Sequence, residues 1–232
     1  MYIIKYGGSR ISPTADSYDE EFISNLVNLV KKYHHEKFLI IVGGGALCRK
    51  MQEAVKTQEE KDLVGIEATR INAKYLIQRF QNATIDVYSE VLKDPTKNIS
   101  KDHQVYFSGG WKPGNSTDYV TMQYALTFNA DKVIKVSDFT YVKNISPLVL
   151  KDLTKDEREK KLSQAEELKV ISWQKMVNLV GETWIPGLHT PLDPLAAKLG
   201  LEHKDISLYI IPESEIEKVL AREEFKGTLV NN

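Results

Sequence analysis

The sequence predicts an α/β protein with a mostly parallel, buried sheet. Strand-length runs of β-branched and aromatic residues alternate with stretches of helical period, and glycine-rich turns follow several of the strand runs. This alternation is typical of βαβ units, in which helices cover the faces of a parallel sheet. The 232 residues are enough for one large domain, and no linker-like segment divides them. We therefore expect a single domain over residues 1–232.

Each predicted element follows from a local pattern. The helical period predicts long helices over 19–35, 63–80 and 120–128, and a shorter helix over 193–201. The lysine- and glutamate-rich stretch 151–164 fits a solvated helix, with a mobile lid over a nucleotide as the alternative. Residues 173–191 are predicted to be irregular. Strands are expected at residues 2–6, 38–42, 84–88, 104–107, 132–136 and 206–211.

Three glycine-rich turns, at residues 5–9, 43–45 and 109–118, each separate a strand run from a helical stretch. Glycine lets backbone amides approach a ligand closely, and a following helix directs its free N–H groups at that ligand. A single turn of this kind could use glycine for steric reasons alone, where a strand turns into a helix. Three of them, with Lys5, Arg49 and Lys112 in or beside them, predict a site for several phosphates.

Two charged residues stand out as catalytic candidates. Lys5 ends the first strand, where a point charge suits phosphoryl transfer. Asp118 is either a helix cap together with Thr117, or a group that orients the reacting centre through a metal or lysines. A P-loop is excluded because Asn115 occupies the position of its essential lysine. The five histidines lack metal-ligand spacing, so we expect no metal site built by the protein alone.

Composition excludes other classes of partner. The formal net charge is -1, so no global field attracts nucleic acid or an anionic membrane. No apolar run approaches the length of a membrane span, and the first residues lack the apolar stretch of a signal peptide. Cys48 is the only cysteine, which suits a reducing compartment. We expect a cytoplasmic protein that binds small molecules.

Five strings, in order along the chain, resemble the amino acid kinase superfamily and, within it, the archaeal-type uridylate kinases. The strings at 62–73 and 193–198 are the most specific to that branch. The five strings are Lys5-Tyr-Gly-Gly-Ser9, Val42-Gly-Gly-Gly-Ala-Leu-Cys-Arg-Lys50, Asp62-Leu-Val-Gly-Ile-Glu-Ala-Thr-Arg-Ile-Asn-Ala73, Gly109-Gly-Trp-Lys-Pro-Gly-Asn-Ser-Thr-Asp118 and Asp193-Pro-Leu-Ala-Ala-Lys198.

The resemblance implies a three-layer αβα sandwich, a hexamer built as a trimer of dimers, and Mg²⁺-dependent transfer of the ATP γ-phosphate to UMP in pyrimidine biosynthesis. It makes UTP a candidate inhibitor. Residues 1–130 would form mainly the acceptor and phosphate lobe, and residues 131–232 mainly the donor lobe. The implied catalytic residues are Lys5, Asp118 and Lys198. The implied UMP-binding residues are Gly44, Asp62, Trp111, Lys112, Pro113, Gly114, Asn115, Ser116 and Thr117, and the implied ATP-binding residues are Gly7, Gly8, Gly45, Arg49, Asp138, Tyr141 and Asn144.

One stretch departs from the family pattern. Where the family reads Asp-Gly-Val-Tyr-x-x-Asp-Pro, this chain reads Asp138-Phe-Thr-Tyr-Val-Lys-Asn-Ile-Ser-Pro147, so Phe139 replaces a glycine and Asn144 an aspartate. Two alternatives therefore stay open. The acceptor is another small phosphate or carboxylate, such as isopentenyl phosphate or an acylated amino acid, or the chain is a nucleotide-binding sensor or assembly protein without catalysis. Asp62 argues against an isoprenoid acceptor, which has no ribose.

Overall fold

The computed structural model describes residues 1–183 and 190–232, which form two compact units, Met1–Val136 and Ser137–Asn232. The division into an acceptor lobe over 1–130 and a donor lobe over 131–232 stays a prediction. A single domain over 1–232 stays a prediction.

The first unit is built on four parallel strands. Their residues are almost continuously apolar and buried, as expected for a sheet covered on both faces. In space they follow the order β3-β2-β1-β4, with β1 paired to both β2 and β4. The strands are β1 (Tyr2–Tyr6), β2 (Phe38–Val42), β3 (Val105–Ser108) and β4 (Lys132–Val136).

Helices connect these strands, and side-chain caps define where most of them begin. Thr57 and Glu60 form a capping box at the start of the longest helix. At the last helix the cap is Ser116, whose Oγ accepts a hydrogen bond from Tyr119 N at 3.1 Å. The prediction that Thr117 and Asp118 cap this helix was therefore wrong. The helices are α1 (Gly8–Ile11), α2 (Glu20–Lys32), α3 (Gly45–Glu53), α4 (Gln58–Asn82) and α5 (Thr117–Phe128).

The strand predicted at 84–88 was wrong. Residues in this segment run beside β3 but make only an isolated bridge, between Val87 and Val105. The Asp86 carboxylate accepts hydrogen bonds from Gln104 N (3.1 Å) and pairs with the His103 ring. The next rung of a parallel ladder would use the His103 N–H, which instead donates to Tyr106 Oη at 2.8 Å.

The second unit contains shorter elements. Strand β9 pairs parallel with β7 and antiparallel with β8, and β5 and β6 form a separate antiparallel pair. Most of these strands are two to four residues long, too short for a pattern to reveal. A helix replaces the irregular structure expected after residue 172, and residues 184–189 lie outside the described part. The elements are β5 (Val142–Lys143), α6 (Pro147–Leu150), α7 (Lys155–Gln164), β6 (Glu167–Leu168), β7 (Val170–Ser172), α8 (Trp173–Val180), α9 (Pro194–Glu202), β8 (Ser207–Ile211), a 3₁₀ helix (Glu213–Glu215), α10 (Ile216–Ala221) and β9 (Thr228–Asn231).

Trp173 and Gly200 fix the contact between α8 and α9 in this unit. The Trp173 side chain is buried, and its Nε1 donates to Ile206 O at 2.8 Å. A Cβ added at Gly200 would lie 2.3 Å from the indole ring, so only glycine lets α9 approach this closely.

We expect Gly200→Ala to destabilise the protein by about 1–3 kcal/mol, because the new methyl group overpacks the indole. Alanine otherwise favours a helix over glycine by about 1 kcal/mol. Gly65→Ala in α4 is the matched control, since its Cβ would meet no atom closer than 3.4 Å. Urea unfolding followed by circular dichroism compares the two variants. An unchanged midpoint for Gly200→Ala would contradict this packing.

Candidate active site

A pair of lysines lies at the carboxyl ends of two neighbouring strands. Lys5 on β1 is in register with Lys135 on β4, so both side chains emerge on the same face of the sheet. Asp118 of α5 lies between them, with Oδ1 3.3 Å from Lys5 Nζ and Oδ2 2.5 Å from Lys135 Nζ. The three side chains are only 12–15% exposed. The result is a shielded cluster with one net positive charge.

The protonation of Asp118 follows from this arrangement. Burial alone would raise the pKa of its carboxyl group, but the charges and hydrogen bonds of Lys135 and Lys5 outweigh burial, and the pKa is well below its usual range. Asp118 is therefore ionised at neutral pH. A carboxylate held in this way is a poor proton acceptor and a good anchor for two ammonium groups.

The first two glycine turns contact each other through their backbones. A Cβ on Gly8 would lie 2.0 Å from Gly45 N and 2.5 Å from Gly43 C. Gly45 also has a φ of +60°, which side chains rarely tolerate. Packing between the turns therefore explains these three glycines. Gly7 is different, because a Cβ there would meet nothing within 4 Å and would project into open space.

Helix α3 starts at this junction, with Gly44 as its N-cap residue. A helix N-terminus favours an anion, which is the basis on which phosphate was predicted here, although the Ala46 amide of the first turn already donates to Ser12 O at 3.1 Å. Arg49 lies one helical turn further on and is exposed, so its guanidinium has the freedom to reach an anion at the helix start.

Helix α4 holds the third glycine turn by three hydrogen bonds. Gly110 N donates to Thr69 Oγ1 at 2.6 Å, Arg70 Nη2 donates to Trp111 O at 3.1 Å, and Gly114 N donates to Asp62 Oδ2 at 2.9 Å. Asp62, predicted from the resemblance to bind ribose, therefore contacts the loop predicted to bind UMP. Its other oxygen accepts from Gln58 Nε2 at 2.8 Å.

The rest of this loop is less constrained. Lys112 lies over the Trp111 ring, with Nζ 4.0 Å from the ring centroid. Pro113 and Gly114 are exposed, and Gly114 has a φ of +77° with open space at its Cβ position. Asn115 Oδ1 is buried without a hydrogen-bond partner. The loop then ends at Ser116 and Thr117, where α5 begins.

Two residues that sequence reasoning missed organise the site. Lys135 ends an apolar strand in the same way as Lys5, and this shared pattern is the signal that points to it. Asn72, which is fully buried, donates from Nδ2 to Gly43 O (2.9 Å) and Gly44 O (3.3 Å). Because a trans peptide directs its N–H opposite to its C=O, Asn72 turns the amides of the second glycine turn away from α4.

The remaining predicted residues belong to the second unit. Asp138 is exposed, and Tyr141 lines a cavity. Asn144 is held by the residue before β6, since its Nδ2 donates to Glu166 Oε2 at 2.9 Å. Lys198 on α9 is 40% exposed and lies 3.8 Å from the Glu182 carboxylate. The assignment of all these residues to substrate or donor stays a prediction.

Within residues 1–183 and 190–232, no cluster of three or more histidine, cysteine, aspartate or glutamate side chains has the geometry to hold a metal ion. In the same residues, every helix is too short or too polar to span a lipid bilayer.

Comparisons with known proteins agree with this architecture. Two curated relatives are named uridylate kinase. The one from Methanocorpusculum labreanum is 28% identical, and the alignment covers 99% of this chain and 95% of the relative. The one from Pyrococcus abyssi is 29% identical, and the alignment covers 98% of each protein. The crystal structure of uridylate kinase from Archaeoglobus fulgidus matches with a TM-score of 0.77 at 26% identity, over 99% of both chains. That of UMP kinase from Bacillus anthracis, at 17% identity and a TM-score of 0.72, shows the shared fold.

The expected three-layer αβα sandwich with a mostly parallel sheet is thus confirmed. The sequence model of the amino acid kinase family matches residues 1–212, well over half of the chain. On this match, together with the lysine-ended strands and glycine turns, the chain belongs to the amino acid kinase family.

Proposed function

We propose that this chain is a nucleoside-monophosphate kinase that transfers the γ-phosphate of ATP to UMP, giving UDP and ADP. The observation that carries the proposal is the pair of lysines bridged by Asp118, beside the glycine turn that follows β1. Support for UMP as the acceptor comes from the relatives named uridylate kinase, which align over nearly the full length of this chain.

In the proposed reaction a phosphate oxygen of UMP attacks the γ-phosphorus of ATP. The bond between that phosphorus and the β–γ bridging oxygen breaks, and ADP leaves with the bridging oxygen. The nucleophile is already an anion, so the reaction needs no general base. Lys5 and Lys135 would neutralise charge on the transferred group, and the ionised Asp118 would act as the positioning residue that holds both lysines.

The glycine turns would bind the donor phosphates. Backbone amides at Gly7, Gly8 and Gly45, at the start of α1 and α3, would donate to these phosphates, and Arg49 would add a guanidinium that can bind a phosphate with two hydrogen bonds. Gly7 is the glycine of this group with open space beside it. Magnesium is taken as part of the donor complex, because the described residues form no metal cage and Asp118 already binds two lysines.

The acceptor would bind between α4 and the loop 109–118. Asp62 would accept hydrogen bonds from the ribose hydroxyls, Gly44 would contact the nucleotide, and the loop from Trp111 to Thr117 would surround its phosphate and base. Because Asp62 also accepts the Gly114 amide, ribose binding would be coupled to the position of the loop. In the second unit, Asp138, Tyr141 and Asn144 would hold the donor nucleoside, and Lys198 would supply a further cation.

The proposal includes the cytoplasmic location, the hexamer and the inhibition by UTP that the resemblance implies. Light scattering of the purified protein tests the assembly, against a chain mass of 26.4 kDa.

We expect ADP release to be fastest with UMP in an assay panel that also contains CMP, isopentenyl phosphate and acylated amino acids. Asp62→Ala should raise the KM for UMP about 10- to 100-fold with a smaller effect on kcat, since it removes a charge-assisted hydrogen bond to bound substrate. Glu67→Ala, an exposed carboxylate on the same helix, is the control and should match the unmodified chain. Activity on isopentenyl phosphate or an acylated amino acid alone would overturn the choice of UMP. Nucleotide binding without any turnover would favour the sensor alternative.

We also expect Lys5→Ala and Lys135→Ala each to lower kcat about 10²- to 10³-fold, or roughly 3–4 kcal/mol of barrier, as when one transition-state donor is lost. Lys132→Ala, at the opposite end of β4, is the control. Thermal melting separates loss of catalysis from loss of fold. If both variants turn over within twofold of the unmodified chain, the lysine pair has no role in the chemistry.

A further inference from the structure

The second unit contains a cavity of about 340 Å³, large enough for a heterocyclic ring. Its walls are mostly apolar and include the aromatic side chains of Phe139 and Tyr141. The charged side chains among its described lining residues are Lys143, Lys151 and Arg158, and no aspartate or glutamate accompanies them. The lining thus combines a surface for a flat ring with hydrogen-bond donors.

Helix α7 supplies one wall of this cavity through a single face. Arg158 and Leu162 are one helical turn apart and both line the cavity. They are also the half-buried residues of α7, whose other side chains are exposed. Helix α7, which lies in the stretch predicted from the sequence to be a solvated helix, is therefore exposed to solvent except on the face that lines the cavity.

Arg158 has an unused donor at this face. Its Nε is buried and has no hydrogen-bond partner, an arrangement that costs free energy unless a ligand or water supplies an acceptor. Lys143 is less available, because its Nζ already pairs with Glu167 Oε1 at 3.0 Å. Phe139, by contrast, is 40% exposed although it is a large aromatic residue. An exposed ring and an unpaired guanidinium donor lie on the walls of one cavity.

We propose that Arg158 is a specificity-determining residue of the donor site, and that it donates hydrogen bonds to the acceptor edge of a purine ring resting against Phe139 and Tyr141. This rests on the proposed function, because it takes the ring to be the base of the phosphate donor. Guanine presents two adjacent acceptors, O6 and N7, whereas adenine presents N7 beside an amino group that is a donor. Arg158 should therefore contribute more to the binding of guanine and hypoxanthine than to that of adenine, and this adds to the affinity that the rest of the site gives to ATP.

Calorimetric binding of ADP, GDP and IDP to the full chain tests the proposal without any need for turnover. Arg158→Ala should weaken the binding of GDP and IDP about 5- to 150-fold, the range expected for a bidentate contact to a base edge. It should weaken the binding of ADP by a smaller factor. Arg158→Lys should lose nearly as much, because it keeps the charge but not the planar fork. Lys160→Ala, an exposed cation on the same helix, is the matched control and should leave all three affinities unchanged.

Tripolyphosphate, which has no base, should bind the Arg158→Ala variant as well as it binds the unmodified chain. If Arg158→Ala loses affinity equally for all three nucleotides and for tripolyphosphate, Arg158 binds the phosphates and the proposal is overturned. Unchanged affinities in Arg158→Ala, or full affinity in Arg158→Lys, would also overturn it. Failure of the chain to bind any of the diphosphates would overturn it too, even if UMP is phosphorylated from another donor. Conversely, the expected pattern of binding without phosphorylation of UMP would refute the proposed reaction and leave the base contact standing.

Discussion

Two ammonium groups on neighbouring strands repel each other unless an anion lies between them, and this constraint organises the first unit. The register of β1 and β4 brings Lys5 and Lys135 to the same face, on strands about 5 Å apart. Asp118 reduces this repulsion only if α5 begins where its first turn places the carboxylate between the two ammonium groups. The loop before α5 must then end at Ser116. The position of that loop therefore depends on the lysine pair.

Helix α4 completes this arrangement from the other side. Its buried Asn72 orients the peptides of the second glycine turn, while Asp62, Thr69 and Arg70 hold the third. One continuous helix thus sets the relative positions of two turns that lie far apart in sequence. A helix is suited to this role because its own hydrogen bonds keep these side chains at fixed spacing.

The glycines of the turns have two different physical roles. Gly8, Gly43 and Gly45 are required because two backbones touch, and this would hold with no ligand at all. Gly114 is required by its φ of +77°, whereas Gly7 has open space at its Cβ position and no positive φ, so neither packing nor backbone conformation accounts for it. The case for phosphate binding therefore depends on Gly7 and on the nearby cations, more than on the number of glycines.

The sequence by itself determined the α/β class, the long strands and helices and the candidates Lys5 and Asp118, because buried strands and long helices leave strong periodic patterns. It did not exclude a strand at 84–88, where the Tyr106 hydroxyl accepts the His103 N–H that the next ladder rung would have used, or reveal the short strands of the second unit. Only the tertiary structure decided that Asp118 binds two lysines, that Asn72 orients a glycine turn and that Arg158 faces a cavity. These facts depend on strand register and helix packing between residues distant in sequence, which no local pattern encodes.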